Sequence, residues 1–450
     1  MLLVVVAVFI VSAVGRAQYV NSALIALRPA LAAGALGLLL LFFQRDPRRR
    51  FSPLATPVGK LAAFLVVWAS LGGPFATVQT FALKFWLEDL IWVLALMALI
   101  VAATRDLADL RRLMHVFAAS TVLLCLFSMA LGSQDSAGRL SGLGGYDPND
   151  LAFVAAAGIP LLTYGVTRAR TLGTRLASAL GIGLLIYSVV QTDSRGGFLA
   201  IAAFLLFSLF AGRGIPTRWR VAIAGGAIVV LLSVTAGGYW THIRSITDPY
   251  DYNRTSLTGR KQVWKRGMGY MFGNPVFGVG LRNFSVAEGQ HPAIAGRIAR
   301  GYGTKYSAAH SSWVEIGAET GLPGFAAFIG LFLVSGAYLF KVGRRTRAGP
   351  GADERAMAFA LLGLLVTVAV GGSFLSQGFG FVTWGTFGLV AAFMKVRLLD
   401  RASPNRSLSA VPDETAAPRR RARVAPLLVR RGVMVGPGFP GGGRASGRRR

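Results

Sequence analysis

The chain has four histidines, and one of them, His310, stands just before a long apolar run. Residues 308–324 read AAHSSWVEIGAETGLPG and lead directly into FAAFIGLFLVSGAYLF. Ser312 followed three residues later by Glu315 is a capping-box pattern, which predicts a helix that starts here. His310 then precedes a helix N-terminus, where the positive end of the helix dipole disfavours the imidazolium. A neutral His310 would be able to accept a proton at physiological pH.

The two glutamates of this segment are not expected to form a dyad with the histidine. On a helix, Glu315 lies about 140° and Glu319 about 180° around the axis from the direction of His310. Gly321 and Pro323 predict the end of the short helix and the start of the next apolar segment. A histidine at such a surface is more often structural than catalytic, so the residues alone leave both roles open.

Three arginines stand out by their positions. Arg195 lies in QTDSRGGFLA, a very short connection between two apolar blocks, and Arg139 lies in GRLSGLGGYDPNDLAF. Arg260 heads an apolar helical stripe. Guanidinium groups keep their charge and bind phosphate oxygens in pairs, so this set indicates a phosphate-bearing ligand. The position of Arg139 just before a membrane span is also explained by the topology of the chain alone. For Arg260, the alternative is a side chain that extends to the membrane surface beside Trp264.

The segment TGRKQVWKRGMGYMFGNP predicts a helix from about residue 260 to 272, with Thr258 as its cap. Lys261 and Lys265 lie on one of its faces. Residues at helical spacing form another face: Arg260, Trp264, Gly267 and Met271.

Apolar blocks dominate the rest of the chain. Of its 450 residues, 53% are hydrophobic. They gather in blocks of about 15 to 22 residues, and only helices satisfy their own backbone hydrogen bonds in lipid. The sequence therefore predicts an all-α, polytopic transmembrane helical bundle. The expected spans are 2–14, 22–43, 59–73, 88–103, 113–131, 150–167, 176–191, 197–211, 220–237, 323–340, 356–373 and 378–396.

The single cysteine, Cys125, lies inside one of these blocks. An intrachain disulfide is thereby excluded, and a metal site built on cysteines is not expected.

The net charge of +29 is concentrated between the apolar blocks and in the tail. With a cytoplasmic start, every second connection is basic, among them QRDPRRR and TRDLADLRR, so the positive-inside rule predicts twelve spans with both ends in the cytoplasm. The Arg-rich tail from about residue 397 is expected to be disordered and solvated and to help orient the chain. Contact with anionic membrane lipid is the alternative, and nucleic-acid binding is not expected.

One long connection, residues 238–322, is predicted to face the periplasm. It carries ten Lys and Arg against five acids, and this excess indicates an anionic ligand. The expected organisation is N-terminal transmembrane helices over 1–237, the periplasmic loop over 238–322, C-terminal transmembrane helices over 323–396 and the tail over 397–450.

Four segments follow one another between residues 139 and 324. They are R-x-x-G followed by P-N (139–149), S-R-G (194–196), G-R-x-x-x-W followed by N-P-x-F-G-x-G (259–280), and H-S-x-x-E-x-x-x-E-x-G-x-x-G (310–324). Each is weak alone, but in this order and in a chain of twelve expected spans they resemble the O-antigen ligase and polymerase family of bacterial inner-membrane proteins.

The resemblance implies a membrane-embedded glycosyltransferase of the GT-C type in lipopolysaccharide or polysaccharide biosynthesis. Such an enzyme takes a glycan from undecaprenyl pyrophosphate and joins it to a sugar hydroxyl of a glycan or lipid-linked acceptor. Carried over to this sequence, it assigns the pyrophosphate to Arg195 and Arg260, with Arg139 as a further candidate. It also implies that His310 orients or deprotonates the acceptor hydroxyl.

The resemblance also implies that no metal and no other cofactor take part. The first outer loop, GRAQYVN, contains no acid, whereas metal-dependent relatives would carry metal-binding carboxylates there.

The sequence leaves three readings beside that of a ligase. A polymerase differs only in its acceptor. A secondary transporter is the alternative from another class, although no internal repeat is visible and the charged groups gather in one outside loop. A non-catalytic scaffold is the third. Sugar, acceptor and oligomeric state stay open.

Overall fold

The chain is described by a computed structural model that covers residues 1–50, 52–211, 256–301, 306–344 and 351–402, together with residues 221, 225 and 226. Within these ranges the regular elements are helices. They are α1 (Leu2–Ala13), α2 (Ser22–Ala26), α3 (Pro29–Phe42), α4 (Pro57–Leu71), α5 (Gln79–Phe85), α6 (Ile91–Ala103), α7 (Leu107–Leu131), α8 (Pro148–Arg168), α9 (Leu172–Gln191), α10 (Arg195–Ala211), α11 (Arg260–Gly273), α12 (Phe284–Gln290), α13 (Pro292–Ala299), α14 (Ser312–Gly343), α15 (Ala352–Gly372) and α16 (Phe381–Ala402). A π-helical turn, Trp86–Leu90, joins α5 to α6.

The predicted all-α polytopic bundle is confirmed. Eight helices in the described ranges are long and apolar enough to cross a membrane: Ser22–Phe42, Gln79–Ala103, Leu107–Leu131, Pro148–Arg168, Leu172–Gln191, Ser312–Gly343, Ala352–Gly372 and Phe381–Arg401. Three shorter apolar helices accompany them: Leu2–Ala13, Pro57–Leu71 and Arg195–Phe210. Each predicted span that lies within the described residues overlaps one of these helices. Of the predicted ninth span, 220–237, only residues 221, 225 and 226 are described. The disordered tail predicted from about residue 397 starts too early, because α16 stays helical to Ala402; residues 403–450 lie outside the described residues.

The connections between helices gather at two ends of the bundle, as alternating spans require. At one end, the Arg16 guanidinium donates to the carbonyl of Gly144, and the Thr77 amide donates to the carbonyl of Val279 at 2.9 Å. These contacts join four connections predicted to be outside in two pairs, and we call this end the site end. Its orientation toward the periplasm stays a prediction.

The opposite end, which we call the basic end, brings predicted cytoplasmic connections together. The buried Asp109 carboxylate accepts from Arg105 at 2.9 Å and from Arg112 at 3.0 Å, and Arg49 approaches it at 3.7 Å. One buried carboxylate thus partly neutralises the arginines of two connections.

Helix α8 lies in the interior, and its first turn belongs to the site end. The run LAFVAAAGIPLL, residues 151–162, is buried along its length. Small residues let its neighbours approach closely: a Cβ at Gly158 would meet Thr121 Oγ1 at 2.0 Å. The capping box formed by Asp147 and Asp150 starts the helix. Groups on the first turn of α8 are therefore held by a rigid central helix.

Helix α14 runs through the predicted boundary between the loop and the next span. The chain stays helical from Ser312 to Gly343, with a single non-helical residue, Gly321, at φ 68° and ψ −169°. The expected end of a short helix at Gly321 and Pro323 is thus a kink within one long element.

The kink receives the N-P-x-F-G-x-G segment. A Cβ on Gly321 would lie 2.5 Å from the carbonyl oxygen of Val276, and one on Gly278 would lie 2.3 Å from that of Ala318. Between these close approaches the Val279 amide donates to the Ala318 carbonyl at 2.8 Å. The glycines of the two motifs are required because backbone packs directly on backbone.

Candidate functional site

Helix α11 packs on the segment that carries the histidine. The Trp264 indole N–H donates to the carbonyl of Ala309 at 2.9 Å, one residue before His310. Gly267 faces the start of α14 so closely that a Cβ there would meet Val314 at 2.4 Å. The tryptophan and glycine of the predicted stripe therefore fix α11 against the segment of His310, while Lys261 and Lys265 on the other face are exposed.

The predicted cap of α11 is wrong. The helix begins at Arg260 with Gly259 as its N-cap residue, and no side chain caps it. Instead, the Thr258 amide donates to the Ser256 hydroxyl at 3.3 Å. Thr258 takes part in a local turn before the helix, and the amides of the first turn of α11 receive no side-chain cap.

The predicted capping box at Ser312 is also wrong, although the helix does start there. Ser311 is the N-cap residue and provides no side-chain hydrogen bond. The Ser312 hydroxyl donates to the Leu375 carbonyl at 2.7 Å and accepts from the Gln377 amide at 3.0 Å. The Ser312 hydroxyl therefore bonds a segment distant in the sequence and does not cap its own helix.

His310 has a left-handed backbone conformation, with φ 48°. For a non-glycine residue this conformation costs on the order of 1 kcal/mol or more, so surrounding contacts must hold it. The His310 amide donates to the Ser376 hydroxyl at 3.1 Å. Glu315 lies near the same hydroxyl. Ser376 thus contacts the backbone of His310 beside a buried carboxyl group.

The three predicted arginines act on one another electrostatically. Burial lowers the pKa of Arg260, and the positive charge of Arg195 lowers it further; Arg139 adds to the effect, and Asp147 opposes it. Because a guanidinium keeps its charge in proteins, Arg260 is nonetheless a cation at neutral pH. The site end therefore holds a partly buried cation under repulsion from two others, an arrangement that favours an anion.

Arg139 already has a carboxylate partner. Its guanidinium donates to Asp135 through Nη2 at 2.6 Å and through Nε at 2.8 Å. This pairing holds the pKa of the Asp135 carboxyl below its usual range. Arg139 consequently contributes charge to the group while one edge of its guanidinium is occupied.

Hydrogen bonds connect the Arg195 segment to the segment of His310. The Ser194 hydroxyl, one residue before Arg195, donates to Asn149 Oδ1 at 2.9 Å. The next residue of α8, Asp150, accepts from the side chain of Gln377 at 2.8 Å. Gln377 is adjacent to Ser376, the partner of the His310 amide. The P-N, S-R-G and H-S segments are thereby brought together.

Sequence reasoning missed Ser376 and Gln377. They stand in FLSQGFG, the short connection between the last two spans, and the available signal was a pair of polar residues on the same predicted side as His310. It also missed Arg282, whose charge acts on both Glu315 and Glu319.

Glu319 has a structural role. Its carboxylate accepts from the Phe284 amide at 3.1 Å and is buried. It fixes the chain that follows the N-P-x-F-G-x-G segment.

Over the described ranges, no group of three or more His, Cys, Asp or Glu side chains could hold a metal ion.

The fold and this site define a multi-pass helical membrane protein with an arginine-rich site next to a histidine segment. Residues 180–329 match the family model described as O-antigen ligase, which confirms the predicted resemblance to the O-antigen ligase and polymerase family. The matched stretch includes Arg195, Arg260 and His310.

Comparison with solved structures gives a distant likeness. A chain of the structure "Structural coordination of polymerization and crosslinking by a peptidoglycan synthase complex" is 16% identical, with a TM-score of 0.40; the alignment covers 76% of this chain and 98% of that chain. None of the curated proteins compared with this chain matches it.

Proposed function

We propose that this protein is a ligase-type glycosyltransferase that moves a glycan from undecaprenyl pyrophosphate to a sugar hydroxyl of an acceptor, such as lipid A core. The reaction takes place at the site end, on the periplasmic face of the inner membrane. The family match supports the reaction class. The observation that carries the proposal is the partly buried Arg260 under the positive charge of Arg195, at the end of the bundle where His310 is held.

On the donor side, Arg195 and Arg260 bind the pyrophosphate. Two like charges held together without a bound anion repel each other, and an anion between them recovers that free energy. In the reaction the bond between the anomeric carbon and the phosphate oxygen breaks, and pyrophosphate leaves with increasing negative charge. Fixed guanidinium groups stabilise this charge, so the proposal needs no metal.

On the acceptor side, His310 orients the hydroxyl and accepts its proton as the oxygen attacks the anomeric carbon. A general base has to lie within about 3 Å of the oxygen. The contacts of Ser376 and Trp264 fix the backbone at His310 and Ala309, from which this side chain extends. Attack opposite to the leaving pyrophosphate inverts the anomeric centre.

A polymerase of the same family would use the same site and a growing glycan as its acceptor. Mass spectrometry of the glycans of a deletion strain separates the two activities. Long chains left on the carrier lipid indicate loss of a ligase, and single unattached repeat units indicate loss of a polymerase.

The central test is reconstitution of the purified protein in liposomes with a defined undecaprenyl-pyrophosphate glycan and candidate acceptors. We expect transfer to proceed in the presence of a chelator, and His310→Ala to abolish it while the protein stays folded. Loss of transfer on chelation would contradict the metal-free mechanism. A transporter would instead lose solute uptake in His310→Ala and Arg260→Ala while any glycan transfer persisted.

A further inference from the structure

We infer that the connection between α15 and α16, at Leu375–Gln377, positions His310 against the arginines that bind pyrophosphate. The inference rests on the proposed function and extends it to Ser376 and Gln377 as positioning residues. This connection lies outside the stretch that matches the family model, residues 180–329.

One side of the connection holds the start of α14. Three contacts in succession do so: the Leu375 carbonyl accepts from the Ser312 hydroxyl at 2.7 Å, the Ser376 hydroxyl accepts from the His310 amide at 3.1 Å, and the Gln377 amide donates to the Ser312 hydroxyl at 3.0 Å. Ser312 is buried. Contacts on consecutive residues fix both the place and the direction of the segment that carries His310.

The other side of the connection holds the first turn of α8. Gln377 Nε2 donates to Asp150 Oδ1 at 2.8 Å, and Asn149 accepts from the buried Ser194 hydroxyl. Because Arg195 follows Ser194 and begins α10, the position of its backbone depends on α8. The Gln377 side chain thus links the connection that holds the His310 segment directly to the first turn of α8, which holds Ser194 beside Arg195.

Helix α16 keeps the connection itself in place. The Thr383 hydroxyl donates to the Gln377 carbonyl at 2.7 Å, and the Trp384 indole donates to the Gly378 carbonyl at 2.9 Å. Trp384 is among the largest fully buried side chains. A connection anchored in the core can transmit position between the two segments that it binds.

Positioning of this kind affects rate more than affinity. A displacement of about 1 Å between reacting groups can reduce a rate about 100-fold although each group still binds its ligand. Loss of the Gln377 side chain should therefore lower kcat and leave the KM for the lipid-linked donor nearly unchanged, since Arg195 and Arg260 are retained.

The test compares four forms of the full-length protein with the wild type in liposomes. Gln377→Ala removes the bond, and Gln377→Glu sets a carboxylate against that of Asp150. The double variant Gln377→Glu with Asp150→Asn restores a carboxylate–amide pair in the opposite direction. Gln79→Ala is the matched control, because the Gln79 side chain is exposed and bonds only the Pro74 carbonyl among the contacts described.

Two measurements are made on each form: steady-state kinetics of glycan transfer per folded molecule, and amide hydrogen exchange of peptides that cover residues 192–197 and 306–313. We expect kcat to fall about 10- to 100-fold in Gln377→Ala and Gln377→Glu. We also expect faster exchange in both peptides, substantial recovery of both readouts in the double variant, and no change in Gln79→Ala.

Hydrogen exchange makes the inference testable apart from the enzymatic assignment. If the wild type transfers no glycan, the proposed function fails, and unchanged exchange in Gln377→Ala would overturn the positioning role by itself. Faster exchange with an unchanged kcat would show that the connection orders the chain without positioning the reacting groups, and would also overturn the inference. No recovery in the double variant would contradict the role of the Gln377–Asp150 bond.

Discussion

At the scale of single residues, Arg260 is the arginine of the candidate site on which the charges of the other two act. It is partly buried, it begins α11, and the charges of Arg195 and Arg139 act on it. Arg139 is paired with Asp135, so we expect it to add positive charge near the site rather than to bind the pyrophosphate directly. Substitution of Arg260 should therefore affect transfer more than substitution of Arg139.

Arg260→Ala should reduce kcat/KM for transfer about 10²- to 10³-fold, the usual effect of removing one preorganised donor from a developing anion. Arg260→Lys should give an intermediate loss, because lysine keeps the charge but cannot bind two phosphate oxygens in a fixed plane. Transfer kinetics in liposomes measure both. Lys261→Ala, an exposed neighbour on the same helix, is the control; an equal loss there would indicate a general effect of charge.

At the scale of elements, α11 is placed by its contact with α14. Val263 of α11 packs with Phe284, Ala309 and Ala318 in a small buried cluster, and Gly267 allows the two helices to touch. The position of Arg260 therefore depends on a glycine two turns away, which itself binds nothing.

Gly267→Ala should destabilise the protein by about 1–3 kcal/mol, because the added methyl group meets Val314 and Phe284 and pushes α11 away. Glycan transfer should fall as well, since Arg260 moves with the helix. Thermal unfolding and transfer rates are the measurements.

Gly269→Ala is the matched control. A Cβ there meets no atom within 4 Å, so alanine should stabilise the helix by about 0.5–1 kcal/mol. If both alanines behaved alike, close packing of α11 on α14 would not be what positions Arg260.

At the scale of the whole molecule, the two ends of the bundle differ in their charge arrangement. The basic end gathers arginines around Asp109, whereas the site end joins α8, α10, α11, α14 and the last connection by hydrogen bonds. The positive-inside rule assigns the basic end to the cytoplasm. The proposed reaction, which uses a donor presented outside, requires that orientation.

Thiol labelling of intact cells checks the orientation. Cys125 is buried, so the background should be low. A membrane-impermeant maleimide should label Ala308→Cys at the site end and should not label Arg170→Cys at the basic end, both positions being exposed. The reverse pattern would place the site end in the cytoplasm and exclude a periplasmic reaction.

Much of the bundle could be predicted because the membrane imposes a one-dimensional constraint. Apolar runs near 20 residues must be helical in lipid, so spans such as 150–167 fall within one or two residues of the helix observed, Pro148–Arg168. The start of a span was harder to predict where its first turns carry charged residues. The first turns of the helix Gln79–Ala103 carry Lys84 and Glu88, which pair at 3.9 Å. The span predicted over 88–103 therefore starts too late.

The sequence by itself determined the class of fold, the candidate arginines and histidine, and the order of the motifs. It could do so because residue type and hydropathy are local properties. Only the tertiary structure decided which hydroxyls cap helices and which bind distant segments. Ser312 bonds the connection at Leu375 rather than its own helix, and Gln377 bonds Asp150, 227 positions away in the chain. Such choices depend on which groups meet after the helices pack, and hydrogen bonds buried at those meetings have no counterpart in local spacing.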